Sequence, residues 1–207
     1  MIESQLSELL IATHNPGKIL ELEASLGMLS LRLRSLREFP SIPEVEETGM
    51  TFTENAVLKA STYGRQSKLW TLADDSGLEV DALGGAPGVF SARYAGPEAS
   101  DAERVTLLLE ELSRKDDGRR SARFVCVIAI ADPDGRVAHV AQGSCEGHLA
   151  PAPRGTGGFG YDPIFIPNGY RQTFGELPSE VKQSISHRSR AFQAASAFLR
   201  QRLEGLA

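Results

Sequence analysis

The chemistry in this chain begins with Ala73-Asp74-Asp75-Ser76-Gly77, where an apolar run, LWTLA, meets two adjacent carboxylates, a hydroxyl and a glycine. Adjacent carboxylates repel each other unless a cation is present. Mg²⁺ favours carboxylate oxygens together with phosphate and water. An acidic turn at a strand end, where loops of α/β proteins converge on ligands, therefore reads as a metal-phosphate site. The plain alternative is an Asp-rich β-turn, since Asp, Ser and Gly are common turn residues.

Thr13-His14-Asn15-Pro16-Gly17-Lys18 lies where a strand feeds a helix. Unpaired N–H groups and the partial positive charge of a helix start hold phosphate oxygens well, and Lys18 adds a point charge. The spacing is not that of a P-loop, G-x-x-x-x-G-K-[ST]. An ordinary capped turn with a solvated lysine is the competing reading. Glu46-Glu47-Thr48-Gly49 precedes Glu54, Asn55 and Lys59. Carboxylates ahead of a helix suit a hard cation, while Lys59, an i, i+4 neighbour of Asn55, can reach phosphate. A favourable charge arrangement at a helix start, with Lys59 solvated, explains the same residues.

Gly155-Thr156-Gly157-Gly158-Phe159-Gly160-Tyr161-Asp162-Pro163 carries four glycines in six residues. That density permits positive φ and close approach of backbone to a ligand. Phe159 and Tyr161 offer faces for stacking a base; a flexible linker would not be expected to carry them. Lys182 with Ser186-His187-Arg188 gathers donors suited to acceptor atoms on a base or phosphate.

These groups must be positioned by the elements around them. LLIAT reads as a short buried strand, followed by a helix capped by Asn15 with Pro16 at its first position. Thr51-x-x-Glu54 and Ser100-x-x-Glu103 are capping boxes, the first opening a helix through about Ser67. RFVCVIAIA and RVAHVAQGSCEGHL flank Asp132-Pro133-Asp134-Gly135 and predict a β-hairpin. A short strand, IFI, follows the glycine loop, and a last helix carries Ala191, Phe192, Ala195, Phe198 and Leu199 on one face. Helices mixed with strands and a hairpin predict an α/β fold with a mixed sheet. Residues 1–207 read as a single domain, without repeat or linker.

Net charge is −5, which advertises no basic surface for nucleic acid or an anionic membrane. The two cysteines, Cys126 and Cys145, form neither a C-x-x-C pair nor a paired Cys/His spacing, so neither zinc nor a disulfide framework is expected. No apolar run approaches 18 residues and the start lacks a leader pattern, so a cytoplasmic location is expected.

Taken in order, T-H-N-P-G-K, E-E-T-G-x-T-F-x-E-N-A-x-x-K-A, A-D-D-S-G-L-x-V-D-A-L-G-G-A-P-G-V-F-S-A-R-Y-A-G, G-T-G-G-F-G-Y-D-P and S-H-R resemble the inosine/xanthosine triphosphate pyrophosphatase family. The resemblance runs from about Leu9 to the last helix. It implies an elongated mixed β-sheet flanked by helices, with two lobes around a central nucleotide-binding cleft, and a homodimer. It also implies Mg²⁺-dependent hydrolysis of ITP, dITP and XTP to monophosphate and pyrophosphate. Carried onto matching positions, Thr13, His14, Asn15, Pro16, Gly17 and Lys18 bind the triphosphate. Glu46 and Asp75 hold Mg²⁺, with Glu47 as the rival of Glu46, and Asp75 is also the proton acceptor. Ser76, Phe159, Gly160, Tyr161, Asp162, Lys182, His187 and Arg188 contact nucleotide, and Lys59 is a further phosphate ligand. His14 departs from the Gly or Ser found in many relatives.

A carboxylate bound tightly to Mg²⁺ is a poor base, which leaves Asp74 as the alternative base. Arg188, with His187, is expected to pair with the C6 oxygen of hypoxanthine or xanthine and reject the amino group of adenine. Two other readings stand beside this one: a Maf-like nucleotide pyrophosphatase with another base preference, and a nucleotide sensor without turnover.

Overall fold

The computed structural model describes residues 6–27, 29, 31–115 and 118–205. Strand β1 (Glu8–Ile11) buries Leu9, Leu10 and Ile11. Asn15 caps helix α1 (Pro16–Leu26) by accepting the Lys18 backbone N–H at 3.2 Å, and Pro16 sits where no N–H is needed. The helix returns the chain to β2 (Arg32–Ser35), which pairs parallel with β1. Such a crossover is what parallel pairing requires.

Thr51 and Glu54 close the reciprocal capping box at the head of α2 (Phe52–Ser67). Strand β3 (Trp70–Val80) then pairs parallel with β1, Leu9 opposite Trp70 and Ile11 opposite Leu72. Helix α3 (Asp101–Ser113) begins at the Ser100–Glu103 capping box. Strands β4 (Ser121–Ala131) and β5 (Val137–Leu149) are neighbours joined only by 132–136, where the Gly135 N–H donates to the Asp132 carbonyl at 2.9 Å. So short a link forces an antiparallel hairpin. Strand β6 (Phe165–Pro167) pairs antiparallel with β5, and helices α4 (Ser179–Ile185) and α5 (His187–Leu203) follow.

Among the described residues the strands form one mixed sheet of order β2-β1-β3-β4-β5-β6, so the mixed α/β sheet with helices is present as expected. The chain divides into two compact units. The first comprises residues up to Asp75, Cys126–Gly143 and those from Arg188 onward; the second comprises Ser76–Val125 and Ser144–His187. Each has its own apolar core. The first packs Leu9, Ile11, Leu22, Leu72, Ile128, Ala191 and Leu199, and the second packs Leu78, Leu108, Phe124, Leu149, Phe165 and Phe174. Among the described residues no helix is long and apolar enough to cross a membrane.

One local expectation is overturned. Asp74-Asp75-Ser76-Gly77 is not a turn; it lies inside β3, which continues unbroken to Val80. The turn propensity of Asp, Ser and Gly loses to burial on both faces of the strand, since every residue from Trp70 to Asp75 is buried.

Candidate functional site

Because Asp74 and Asp75 are successive residues of a strand, their side chains leave on opposite faces. The two carboxylates accordingly have different hydrogen-bond and ion-pair partners in the first unit. Asp74 is 1% exposed, with its Oδ2 2.9 Å from the Lys18 ammonium and 3.4 Å from the Arg188 Nε, and with Cys126 Sγ at 4.0 Å. Arg188 also donates through Nη1 to Glu21, a residue on α1 that sequence reasoning passed over. The only signal for Glu21 was its position three residues after Lys18 on one helix face.

Asp75 accepts from the Asn55 amide at 3.1 Å and from Lys59 at 3.5 Å. Lys59 in turn lies 2.5 Å from Glu47 Oε1, and the Asn55 amide oxygen accepts the Gly49 N–H at 2.7 Å. Asn55 therefore ties the acidic segment before α2 to the strand carboxylate. Glu46 is exposed, whereas Glu47 is the glutamate joined to Asp75 through Lys59.

These surroundings set the two carboxylates apart. Burial pushes Asp74 up, but Lys18, Arg188 and Lys59 outweigh it and hold the carboxyl well below its usual range. For Asp75 burial prevails, with Lys59 opposing and Glu47 reinforcing, so its pKa is raised. Burial disfavours the Lys59 ammonium, yet Asp75, Asp74 and Glu47 more than compensate and keep it charged. The repulsion expected between neighbours on a turn is thus relieved by geometry: Lys18 and Arg188 pair with Asp74, while Lys59 pairs with Asp75 and acts on both.

Thr13, Gly17 and Lys18 are half-buried at the head of α1, while His14, Asn15 and Pro16 are exposed. Thr13 Oγ1 accepts the Asn15 N–H at 3.2 Å, so the loop is braced internally before the helix begins. Lys18 is not the solvated lysine of the plain reading, being ion-paired to Asp74.

In the second unit, Ser76 is half-buried on β3. Phe159 and Gly160 are half-buried, while Tyr161 and Asp162 are buried. Asp162 Oδ2 accepts the Phe159 N–H at 2.8 Å and the Lys182 ammonium at 2.6 Å. Lys182 also stands 4.8 Å from the centroid of the Phe159 ring, a cation–π arrangement. Two expectations need correction here. Tyr161 does not offer a stacking face; it is 4% exposed and its hydroxyl donates to the Ser91 carbonyl at 3.0 Å. Gly158, at φ 72°, makes room for the chain's own Asp162 carboxylate, into which a Cβ would run, and not for a ligand. His187 is buried and stacks on Phe124, ring centroids 4.7 Å apart at 12°.

The sequence profile of the Ham1 family matches residues 9–198. A dITP/XTP pyrophosphatase of Geobacillus kaustophilus is 50% identical over 186 residues, covering 90% of this chain and 91% of that protein. One of the same name from an Exiguobacterium species is 49% identical over 190 residues, covering 92% and 95%. The solved structure of a HAM1 protein from Coxiella burnetii has TM-score 0.87 and 44% identity, covering 94% of this chain and 99% of that one. A match this continuous, in sequence and in fold, makes this chain a member of the Ham1 family.

Proposed function

We propose that this chain hydrolyses the deaminated purine nucleoside triphosphates ITP, dITP and XTP to the nucleoside monophosphate and pyrophosphate. The observation that carries the reading is the split pair on β3. Asp75 is a buried carboxylate with raised basicity beside Lys59, and Asp74 is locked to Lys18 and Arg188. The names of the relatives support the same reading, as does the Ham1 family membership.

The first unit's cluster holds three cations, Lys18, Lys59 and Arg188, against four carboxylates, Glu21, Glu47, Asp74 and Asp75. Such a cluster does not attract a polyanion unaided. The oxygen donors of Asp75 and the Glu46-Glu47 segment fit a hard cation, and Asp75 with Glu47 or Glu46 would hold Mg²⁺. When bound, Mg²⁺ supplies charge neutralisation on the triphosphate and activation of water. Lys18 and the head of α1 grip phosphate oxygens, and Lys59 screens Asp75 from them. Asp75 would orient the water whose oxygen attacks the α-phosphorus in line and take its proton, a role that competes with tight binding of Mg²⁺, as the bond to the pyrophosphate oxygen breaks. Asp74, held ionised by its cations, is too weak a base for that step and serves to aim Lys18.

Ser76, Phe159, Gly160, Lys182 and His187 of the second unit are assigned to the nucleoside, with Asp162 holding Phe159 and Lys182 and Tyr161 anchoring the loop to Ser91. Arg188 keeps its proposed part in choosing the C6 oxygen, since a guanidinium presents N–H donors and no acceptor. A homodimer and a cytoplasmic location complete the proposal. Its test is incubation with ITP, dITP, XTP, GTP and ATP plus Mg²⁺, scoring pyrophosphate against phosphate, with and without chelator. Pyrophosphate from the first three, lost on chelation, is expected; orthophosphate as the first product would overturn the assigned bond cleavage.

A further inference from the structure

We infer that Asp101, at the start of α3, is a positioning residue that presets the Phe159-Gly160-Tyr161-Asp162 loop for the purine, and so governs nucleoside affinity. The inference rests on the functional reading above, in which this loop meets the nucleoside. All the residues involved belong to the second unit.

The loop is braced from three elements. From α4, Lys182 pairs with Asp162, whose carboxylate also takes the Phe159 N–H. From the 3₁₀ turn Gly88–Arg93, Ser91 accepts the Tyr161 hydroxyl at its carbonyl; its own hydroxyl donates to the Gly88 carbonyl at 2.7 Å and accepts the Leu78 N–H at 2.9 Å. From α3, Asp101 Oδ2 accepts the Gly160 N–H at 2.6 Å.

That third brace differs from the others because it holds backbone midway between the two aromatic residues. Gly160 sits at φ 60°, where a Cβ would meet nothing within 4 Å; the carbonyl of its preceding peptide accepts the Asp162 N–H at 3.2 Å, and the N–H of that peptide is held by the Asp101 carboxylate. Its other oxygen is taken by Arg104 Nη2, and Arg104 Nη1 donates to the carbonyls of Ala99 and, at 2.9 Å, Ala92. The carboxylate is thereby held in one orientation by a residue three positions along its own helix. A charge-assisted bond to a backbone N–H is stronger than a neutral one and fixes direction as well as distance. Without it the loop must be ordered when ligand arrives, and that cost falls on affinity.

Asp101 and the loop it holds belong to the second unit and the lysine-carboxylate cluster to the first, so its loss should separate nucleoside from phosphate recognition. For Asp101→Ala the KM for ITP should rise about ten-fold while kcat changes less than about three-fold, the signature of lost binding that is uniform between ground and transition states. Calorimetric affinity for IMP should fall by a similar factor, and inhibition by pyrophosphate should be unchanged. Asp101→Asn retains an acceptor oxygen for Gly160 but loses the charge that holds Arg104, and should lie between wild type and Asp101→Ala; it also serves if the alanine variant folds poorly. Unaltered IMP affinity in both variants, or equal weakening of IMP and pyrophosphate, would overturn the inference. Failure of the wild type to turn over ITP or bind IMP would instead overturn the functional reading, whatever the variants do.

Discussion

Asp74 and Asp75 differ by one position and by everything that surrounds them. Asp75 faces an amide and an ammonium already shared with Glu47, so removing its charge leaves Lys59 still paired. Asp75→Asn should therefore lower kcat by at least about 10²-fold, the usual contribution of a positioned base, while nucleotide affinity survives. Asp74→Asn should behave differently. It leaves the Lys18 ammonium, and a 2%-exposed Arg188 guanidinium, short of a buried counter-charge. Breaking a buried pair from one side costs about 3–5 kcal/mol, which urea unfolding reads directly. The pH dependence follows from the same contacts. The folded Asp74 pKa lies below its unfolded value of about 3.9, so its stabilisation is complete above that pH and is lost as pH falls through the folded value. Asp74→Asn should thus flatten the acid side of the stability profile. An Asp75→Asn enzyme with wild-type turnover, or an Asp74→Asn protein of undiminished stability, would reverse this division of roles.

At the scale of elements, what was legible from sequence was local. The caps at Asn15, Thr51–Glu54 and Ser100–Glu103, the end of α2 at Ser67 and the D-P-D-G hairpin are decided by residues within five positions of one another. The path of β3 through Asp74-Asp75-Ser76-Gly77 was not legible, because those residue types favour a turn and only the burial of both strand faces overrides them. Nor was the Arg188–Glu21 pair, whose partners lie 167 positions apart. The glycine loop shows the same limit: its composition announced positive φ but not that Gly158 yields to Asp162. This distinction has a consequence for two neighbouring substitutions. Gly160→Ala meets open space and carries only the left-handed backbone penalty of about 1–2 kcal/mol. Gly158→Ala carries that penalty and also pushes on the carboxylate that holds Lys182 and the Phe159 N–H. Thermal unfolding should therefore rank Gly158→Ala as the more damaging, with IMP affinity following the same order. Equal effects would mean that the Asp162 carboxylate moves aside without cost.

For the whole molecule, the two compact units each bury a cysteine in their own core: Cys126 lies with Leu72 and Ile128, and Cys145 with Phe124 and Phe165. Burial, reinforced by Asp74, pushes the Cys126 thiol up to about 12, so at pH 8 it is protonated as well as enclosed. A thiol in that state reacts only through molecules whose core has opened. Open fractions of stable folds are of the order of 10⁻³ or less, so labelling by a disulfide reagent at pH 8 should be at least about 10³-fold slower in native protein than in denaturant. Cys126→Ser and Cys145→Ser variants each leave one reporter, and so read the opening of one core apiece. Ligand extends the test. A triphosphate gripped by Lys18 and the head of α1 binds only the folded first unit, so it should slow labelling of Cys126 in the Cys145→Ser variant by the factor 1 + [L]/Kd. IMP, which the proposal assigns to Phe159 and Lys182, should slow labelling of Cys145 in the Cys126→Ser variant in the same way. Rapid labelling of Cys126 in the native state would contradict its enclosure, and protection of neither thiol by ligand would contradict the assignment of phosphate and nucleoside to these two sets of residues.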